Sequence, residues 1–282
     1  MAEHWKGAPV AQALTERLIV KAGQLKVQGI VPTLAIVRVG ERPEDLSYER
    51  GALRRCEKVG IRVKQFTLPK EASHGDLMEV IQQINADREI HGCLLFRPLP
   101  PQIDEAAICA ALDPAKDVDG VTAGSLAAVF TGSGAGYPPC TAQACMEILN
   151  YYGCDLTGKR AVVVGRSLVV GKPLSMLLLG KNATVTLCHT RTADLAVECR
   201  RAEVLIAAAG RANMIGRDHL APGQLVLDVG INVDENGNLV GDVDFAAADE
   251  IVGAVTPVPG GVGAVTTSVL AAHVLQAAEQ AR

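Results

Sequence analysis

The chain has 282 residues and a formal net charge of −4, from 27 basic and 31 acidic side chains, and this length favours two domains. Hydrophobic residues make up 49% of the sequence, which excludes an intrinsically disordered chain. Aromatic residues make up only 3%, and acidic residues outnumber basic ones. The composition therefore argues against the stacking side chains and the basic groove of a nucleic-acid-binding protein.

The apolar segments are short and the cysteines are scattered. No apolar run approaches the roughly 18 residues that a membrane span needs, and residues 1–7 have no apolar signal core. The eight cysteines show neither CxxC nor Cys/His ligand spacing, so we expect reduced thiols and no metal site. These features predict a cytoplasmic protein without a membrane partner.

Apolar spacing and turn residues predict alternating helices and strands through the first half of the chain. Ser73 is expected to cap a helix, with Asp76 completing a capping box. This alternation is typical of an α/β layer with a largely parallel sheet. The predicted helices span residues 10–28, 47–59, 73–86 and 103–112, and the predicted strands span residues 33–39, 62–68 and 92–96.

A stretch rich in Gly, Pro and Ser at residues 132–139 marks the predicted domain boundary. Strands and helices alternate again after it, and Asn236-Gly237 predicts a hairpin between Ile231 and Val240. The predicted helices span residues 141–152, 171–179, 195–201 and 266–278, and the predicted strands span residues 161–164, 184–187, 204–207 and 225–228.

The most informative local motif is VVVGRSLVVGKP at residues 162–173, a strand followed by a glycine turn and a helix start. In this context the pyrophosphate of a dinucleotide meets helix N–H groups. The motif departs from GxGxxG, because Ser167 holds the second glycine position and Gly171 comes one residue late. On these residues alone, a tight turn without a ligand remains an equal alternative.

The end of the next strand bears on the choice of cofactor. NAD sites usually place an Asp or Glu about 20 residues after the turn, yet no carboxylate precedes Asp194 here. Arg166 and Arg191 can instead form a fork for a 2′-phosphate, with Ser167 donating a hydroxyl. We therefore predict NADP and leave NAD open; two solvated arginines on loops are the alternative.

Two further loops at predicted strand ends are rich in glycine, DVGIN at residues 228–232 and TPVPGGVG at residues 256–263. Ligands of open α/β sheets lie at the carboxyl ends of strands, where glycine permits close backbone approach. Both loops are therefore expected to contact a ligand.

With these motifs the sequence resembles the methylenetetrahydrofolate dehydrogenase/cyclohydrolase family over nearly its whole length. The resemblance implies two α/β domains flanking a cleft, the C-terminal one Rossmann-like with a mostly parallel sheet. Residues 1–138 would bind folate, residues 139–266 would bind NADP or NAD, and the helix at 267–282 would pack back on the first domain. A homodimer is also implied. The other matching segments are RVG at 38–40, CEKVG at 56–60, PLP at 98–100, KDVDG at 116–120, PCT at 139–141, ATVT at 183–186, CH at 188–189 and GDVDF at 241–245.

The resemblance also implies roles for individual residues. Tyr48 and Asp119 would be catalytic and would hold the folate, Asp119 by accepting two hydrogen bonds from the pterin amino edge. The plainer alternatives are a partly buried helix tyrosine and an aspartate that caps a turn. Pro259, Gly260 and Gly263 would complete the substrate site. The cofactor would meet Thr141, Gly165, Arg166, Ser167, Gly171, Arg191, Ile231 and Thr266.

The sequence departs from the family pattern at two linked positions. Members that catalyse both reactions carry a lysine four residues after the tyrosine and a glutamine before the LPLP motif, whereas Ala52 and Phe96 stand there in this chain. Lesser departures are Asp45, where serine is frequent, and Ala264, which replaces a proline. The aspartate would either repel an anionic substrate or cap its helix.

We therefore expect a dehydrogenase whose cyclohydrolase activity is weak or lost. Three alternatives stay open. One is a bifunctional enzyme with another proton relay, and one is a folate- or nucleotide-binding paralogue without activity. The third is a Rossmann oxidoreductase acting on an unrelated small molecule.

Overall fold

A computed structural model describes residues 1–281, which form two compact units. The six-stranded unit contains residues 1–12 and 141–266, and the three-stranded unit contains residues 13–140 and 267–281. The chain therefore passes between the units three times. The predicted first domain, 1–138, is wrong at its start, because residues 3–4 pair with a strand of the six-stranded unit.

The helices and strands are named in chain order. The helices are α1 (Gly7–Val27), α2 (Pro43–Val59), α3 (His74–Ala86), α4 (Glu105–Ala111), α5 (Ala123–Thr131), α6 (Cys140–Tyr151), α7 (Gly171–Leu179), α8 (Leu195–Arg200), α9 (Phe245–Ile251) and α10 (Thr266–Gln280). The strands are β1 (Glu3–His4), β2 (Thr33–Val39), β3 (Arg62–Leu68), β4 (Gly92–Leu95), β5 (Arg160–Val164), β6 (Thr184–Cys188), β7 (Val204–Ala207), β8 (Leu225–Asp228), β9 (Asn232–Val233), β10 (Leu239–Val240) and β11 (Ala254–Val255).

The six-stranded sheet has the order β1-β11-β8-β7-β5-β6, and each pair of neighbours is parallel. Val164 pairs with Cys188 on one side and Ala207 on the other, so β5, β6 and β7 end at one edge of the sheet. Val163, Ile206 and Leu227 are fully buried, as expected for strands covered on both faces. This sheet confirms the predicted α/β class with a mostly parallel, Rossmann-like sheet.

The three-stranded sheet has the order β3-β2-β4 and is also parallel. Its central strand β2 is buried along its whole length. Leu77 and Ile81 of α3 and Ile108 of α4 pack into the core of this unit. Parallel strands again end at a common edge, from which the loop after β4 emerges.

Local sequence signals explain most of the helix ends. Ser73 and Asp76 form the predicted capping box of α3, and α2 ends at Gly60, whose φ is +89°. The predicted start of α2 at residue 47 is late, because Pro43 already occupies its first turn with acidic residues behind it. The hairpin at Asn236-Gly237 is present, with Val233 opposite Leu239.

Four short elements were absent from the predicted set: α5, α9, β1 and β11. Both helices carry a cap that could have revealed them, since Thr122 accepts the Ser125 N–H and Asp244 accepts the Ala247 N–H. The two strands have two residues each, too few to show any periodicity.

The eight cysteines are all free thiols, and only Cys154 is not buried. None of the helices within residues 1–281 is long and apolar enough to cross a bilayer.

Candidate functional site

The glycine turn after β5 lies where the strand order of the six-stranded sheet reverses, between β5 and β7. This is the position at which open α/β sheets bind ligands. Gly165 has a φ of +124°, and a Cβ there would overlap the carbonyl group of Ala208, which follows β7. Only glycine fits this close approach of two loops.

The start of α7 is held against the same turn. A Cβ on Gly171 would overlap the Gly165 carbonyl, so this glycine brings the helix close to the strand end. Ser167 Oγ accepts the Val170 N–H at 3.1 Å, and the Ser167 carbonyl accepts the Lys172 N–H at 3.0 Å. The serine hydroxyl keeps its own proton for donation to a ligand.

Arg166 and Arg191 are exposed on the loops that follow the paired strands β5 and β6. Neither guanidinium forms a salt bridge within residues 1–281. The Arg191 loop is fixed by the Arg191 N–H, which donates to His189 Nδ1 at 3.1 Å. Two free guanidinium groups and a serine hydroxyl form a donor set that suits a phosphate.

Two buried carboxylates organise the neighbouring loops, a role that the sequence did not predict. Asp228 accepts the N–H groups of Gly230 and Asp242 at 2.9 Å and that of Val243 at 3.0 Å. Burial is the main reason that the pKa of Asp228 rises to about 6. Asp242 accepts the N–H groups of Ala209 at 2.6 Å, Gly210 at 2.9 Å and Arg211 at 2.9 Å.

The spacing between these two aspartates is set by glycines. A Cβ on Gly241 would overlap the Asp228 carboxylate, and a Cβ on Gly230 would overlap Asp242. The acidic residue of DVGIN is therefore an internal support of the loops, while Ile231 beside it is 72% exposed. The available sequence signal was an aspartate close to a glycine in both loops, as DVG at residues 228–230 and GDV at residues 241–243.

The predicted residues of the 256–263 loop differ in accessibility. Pro259, Gly260 and Gly263 are exposed, and a Cβ on Gly260 or Gly263 would meet open space. Thr266 is 5% exposed, and its hydroxyl donates to the Gly263 carbonyl at 3.1 Å. Its side chain therefore supports this loop. Thr141, in the first turn of α6, is half-buried.

In the three-stranded unit, Tyr48 of α2 meets Phe96, which follows β4. Their ring centroids are 6.0 Å apart and the ring planes are nearly perpendicular at 82°. Ala52 lies one helical turn after Tyr48 and is fully buried, and Phe96 is 8% exposed. We call Tyr48, Ala52 and Phe96 together the Tyr48–Phe96 wall.

The position of α2 is fixed by a buried ion pair. Glu49 accepts a hydrogen bond from Arg38 Nε of β2 at 2.9 Å and one from Gln65 Nε2 of β3 at 2.7 Å. Both carboxylate oxygens are thus engaged, one with each strand. A buried charge held in this way orients its helix on the sheet.

Most residues of the KDVDG turn at residues 116–120 stabilise the turn and the helix end beside it. Lys116 Nζ donates to the carbonyl groups at the end of α3, namely Ile84 at 2.6 Å, Asn85 at 2.9 Å and Asp87 at 2.7 Å. Asp117 is fully buried and accepts the N–H groups of Val121 and Thr122 at 2.8 Å each. Gly120 has a φ of +67°, and a Cβ there would lie 2.5 Å from the Tyr137 carbonyl oxygen.

Asp119 is the partly exposed carboxylate of this turn. Burial raises its pKa above the usual range, opposed by hydrogen bonds from the thiol and the backbone N–H of Cys140 and by the charge of Arg97. Phe96 and Arg97 are consecutive, so one loop contacts the Tyr48 ring and places a cation near Asp119. The structure thereby brings the two predicted folate residues to the same loop.

Comparison with known proteins decides the family. A model described as tetrahydrofolate dehydrogenase/cyclohydrolase, catalytic domain, matches residues 5–119, and the NAD(P)-binding domain of the same family matches residues 139–282. The chain belongs to the tetrahydrofolate dehydrogenase/cyclohydrolase family. The predicted resemblance is confirmed.

Relatives of this family match along their full lengths. The "Bifunctional protein FolD" of Carboxydothermus hydrogenoformans is 50% identical over 281 residues, covering 99% of this chain and 98% of that one. The FolD crystal structure from Campylobacter jejuni has a TM-score of 0.96 at 35% identity and covers 99% of both chains. A Trypanosoma brucei FolD structure, complexed with NADP cofactor and inhibitor, has a TM-score of 0.93 at 31% identity and covers 99% of this chain and 98% of that chain.

The structure also explains a lesser departure from the family pattern. Both oxygens of Asp45 accept hydrogen bonds from Arg42, with Nε–Oδ2 and Nη2–Oδ1 distances of 2.8 Å. The hydrogen bond to Asp45 raises the pKa of Arg42. The extra negative charge is therefore neutralised within the first turn of α2, where a helix favours an acid.

Arg55 is a cation near the position of the family lysine. Its guanidinium donates to the hydroxyl of Thr15 and, at 3.5 Å, to that of Thr267. Burial lowers its pKa, yet a guanidinium remains protonated under physiological conditions. Arg55 is thus an engaged donor and a poor proton acceptor.

Proposed function

We propose that this enzyme oxidises 5,10-methylenetetrahydrofolate to 5,10-methenyltetrahydrofolate with NADP, and that it hydrolyses the methenyl product weakly or not at all. The single observation that carries this proposal is the Tyr48–Phe96 wall. It retains the aromatic ring that would contact folate and has apolar side chains at both positions of the family's proton-transfer pair.

The oxidation makes modest demands on side-chain chemistry. A bound nicotinamide would accept a hydride from the one-carbon bridge, so the protein has mainly to hold two carbons in contact. Asp119 would anchor the pterin amino edge, and the exposed Pro259, Gly260 and Gly263 would add further contacts to the folate. None of these roles needs a general base.

Hydrolysis of the methenyl cation needs an activated water and a proton acceptor. The methyl group of Ala52 and the ring of Phe96 can supply neither, and the Arg55 guanidinium stays protonated. Loss of a general base typically slows a reaction roughly 10²–10⁴-fold. The "bifunctional" name of the Carboxydothermus relative therefore need not hold for both activities of this chain.

The cofactor assignment rests on the loops after β5 and β6. Arg166, Arg191 and the Ser167 hydroxyl would hold a 2′-phosphate, while Gly165 and Gly171 would let the pyrophosphate approach the start of α7. Ile231 and Thr141 would contact the rest of the cofactor, and Thr266 would act by supporting its loop. The NADP named in the Trypanosoma brucei complex supports the same choice.

We further propose a homodimer. Val233 and Leu239 face each other across the β9–β10 hairpin, and they are 67% and 47% exposed. A two-stranded hairpin is only marginally stable in water. Burial of this apolar pair against a second copy would stabilise it.

The decisive experiment gives the purified protein methylenetetrahydrofolate with NADP or NAD and records reduced cofactor and methenyl product together. We expect NADPH to form and methenyltetrahydrofolate to persist at the rate of an enzyme-free control. Rapid loss of the methenyl product would indicate a second proton relay. Binding of both ligands without NADPH formation would identify an inactive paralogue instead.

A further inference from the structure

The first residues of the six-stranded unit run alongside β11 and end on the loop that follows it. We call residues 2–7 the N-terminal strap. Its backbone N–H groups donate to carbonyl groups along this path, Ala2 to Asp249 at 2.7 Å, Glu3 to Gly253 at 2.9 Å, Trp5 to Val255 at 2.9 Å and Gly7 to Gly260 at 2.8 Å. The end of the strap therefore reaches the 256–263 loop, in which three of the proposed folate contacts lie.

Gly7 meets this loop with its backbone alone. Besides the hydrogen bond from its N–H to the Gly260 carbonyl, a Cβ on Gly7 would lie 2.1 Å from the Gly261 carbonyl oxygen and 3.1 Å from the Ala264 Cβ. Gly7 is also the first residue of α1, so its N–H has no acceptor within that helix and can hold a loop instead. Only glycine fits between the strap and the loop.

An aromatic pair fixes the strap to the rest of the same unit. The Trp5 side chain is 5% exposed and its ring stacks on that of Tyr152, with centroids 4.7 Å apart and planes at 4°. The Tyr152 hydroxyl donates to the Lys6 carbonyl at 2.9 Å. Stacking and a hydrogen bond thus hold the two residues that immediately precede Gly7.

The 256–263 loop is attached differently at its start and in its middle. At the start, the Thr256 N–H donates to the Val226 carbonyl of β8 at 3.0 Å, and Thr256 Oγ1 accepts the Asp228 N–H at 2.8 Å. In the middle, the Gly260 carbonyl accepts its hydrogen bond from Gly7 of the strap. The sheet therefore fixes where the loop begins, and the strap fixes where its glycines lie.

We propose that Gly7 is a positioning residue of the folate site, which sets the place of Gly260 and Gly261 through its N–H and its missing side chain, while Trp5 holds the strap. This inference rests on the proposed function, in which this loop contacts the folate. Hydride transfer needs the one-carbon bridge in near-attack geometry, so a displaced loop should impair the use of folate. The NADP turn after β5 is built from other residues and should change little.

The test compares Gly7→Ala with Gly23→Ala. Both glycines lie in α1, but a methyl group at residue 23 would meet open space. For Gly7→Ala we expect the KM for methylenetetrahydrofolate to rise roughly tenfold or more, with the Kd for NADP, titrated without folate, nearly unchanged. Gly23→Ala should leave both constants at their wild-type values.

Variants at Trp5 keep the test decisive if Gly7→Ala does not fold. Trp5→Leu removes the ring that stacks on Tyr152 and should raise the KM for methylenetetrahydrofolate several-fold. Trp5→Phe keeps an aromatic ring and should restore most of the wild-type value.

Two results would overturn the inference and leave the proposed function intact. One is a KM for methylenetetrahydrofolate that stays at the wild-type value in folded Gly7→Ala or, if that variant does not fold, in Trp5→Leu. The other is an equal loss of folate and NADP affinity with a lowered unfolding temperature, which would indicate general destabilisation. If the wild-type protein forms no NADPH from methylenetetrahydrofolate, the proposed function itself fails, and this inference fails with it.

Discussion

The two candidate binding regions, one in each unit, are built from different parts of the polypeptide. In the turn after β5, backbone clearance at Gly165 and Gly171 creates the geometry, and side chains add only the final donors. Around α2 the side chains themselves create the site, through Tyr48, Phe96 and Ala52. A reaction that depends on side-chain protons can therefore be lost through two substitutions, while a backbone-built cofactor turn remains.

The largest effect should come from restoring the proton-transfer pair. The double change Ala52→Lys with Phe96→Gln should accelerate methenyltetrahydrofolate hydrolysis roughly 10²–10⁴-fold, because it supplies a base. Loss of methenyl absorbance measures this rate. The matched control, Ala52→Met with Phe96→Gln, adds similar volume without an amine, and equal hydrolysis by both variants would show that the apolar wall is not what limits the reaction.

In the turn after β5, substitution of Gly165 should be the most damaging change. Gly165→Ala places a methyl group against the Ala208 carbonyl and should lower the free energy of unfolding by about 3 kcal/mol or more, with loss of NADP binding. Urea unfolding and cofactor titration measure the two effects. Gly210→Ala is the control, because Gly210 also has positive φ, at +65°, but faces open space; it should cost only about 1 kcal/mol.

The loops around the cofactor turn should respond to pH through Asp228. Its pKa is raised to about 6, so the folded state binds a proton that the unfolded state releases near pH 4. This group's contribution to stability is thus present at low pH and lost as pH rises from about 4 through 6, by roughly 3 kcal/mol. The free energy of unfolding, measured with urea and plotted against pH, should have different slopes for wild type and Asp228→Asn over this range. Above it the two plots should run parallel.

The smallest effect should come from the arginines that we propose recognise the cofactor. Removing the Arg191 guanidinium with Arg191→Ala should raise the KM for NADP roughly tenfold and leave the KM for NAD nearly unchanged. Initial-rate kinetics with both cofactors measure this. Arg201→Ala removes a charge at the opposite edge of the same sheet, and a similar loss with that control would indicate a general charge effect.

The sequence predicted the regular part of the fold well, because long apolar periods and caps such as Ser73 leave local signals. It could not reveal β1, because a two-residue strand shows no periodicity and is defined only by its pairing with β11, some 250 residues away. The site followed the same rule. Gly165 and Gly171 were found from spacing within one motif, and the structure gives each a steric reason.

The sequence did not predict the roles of residues whose partners lie far away along the chain. Asp242 accepts the three N–H groups of residues 209–211, which lie 31 to 33 positions earlier in the chain, so its supporting role depends on contacts far along the sequence. His273 lies 155 positions from Val118 along the chain, so only the folded unit brings them together. The role of Asp45 likewise became definite only once its bidentate pairing with Arg42 was visible.

The discontinuity of both units has a consequence during synthesis. The strand β1 is synthesised about 250 residues before its partner β11 at residues 254–255, and the three-stranded unit receives its last helix only from residue 267 onward. Neither unit can complete its packing until β11 and α10 have been synthesised. The strand β1 and the surface on which α10 packs are therefore the parts that the nascent chain must keep from wrong partners until β11 and α10 are added.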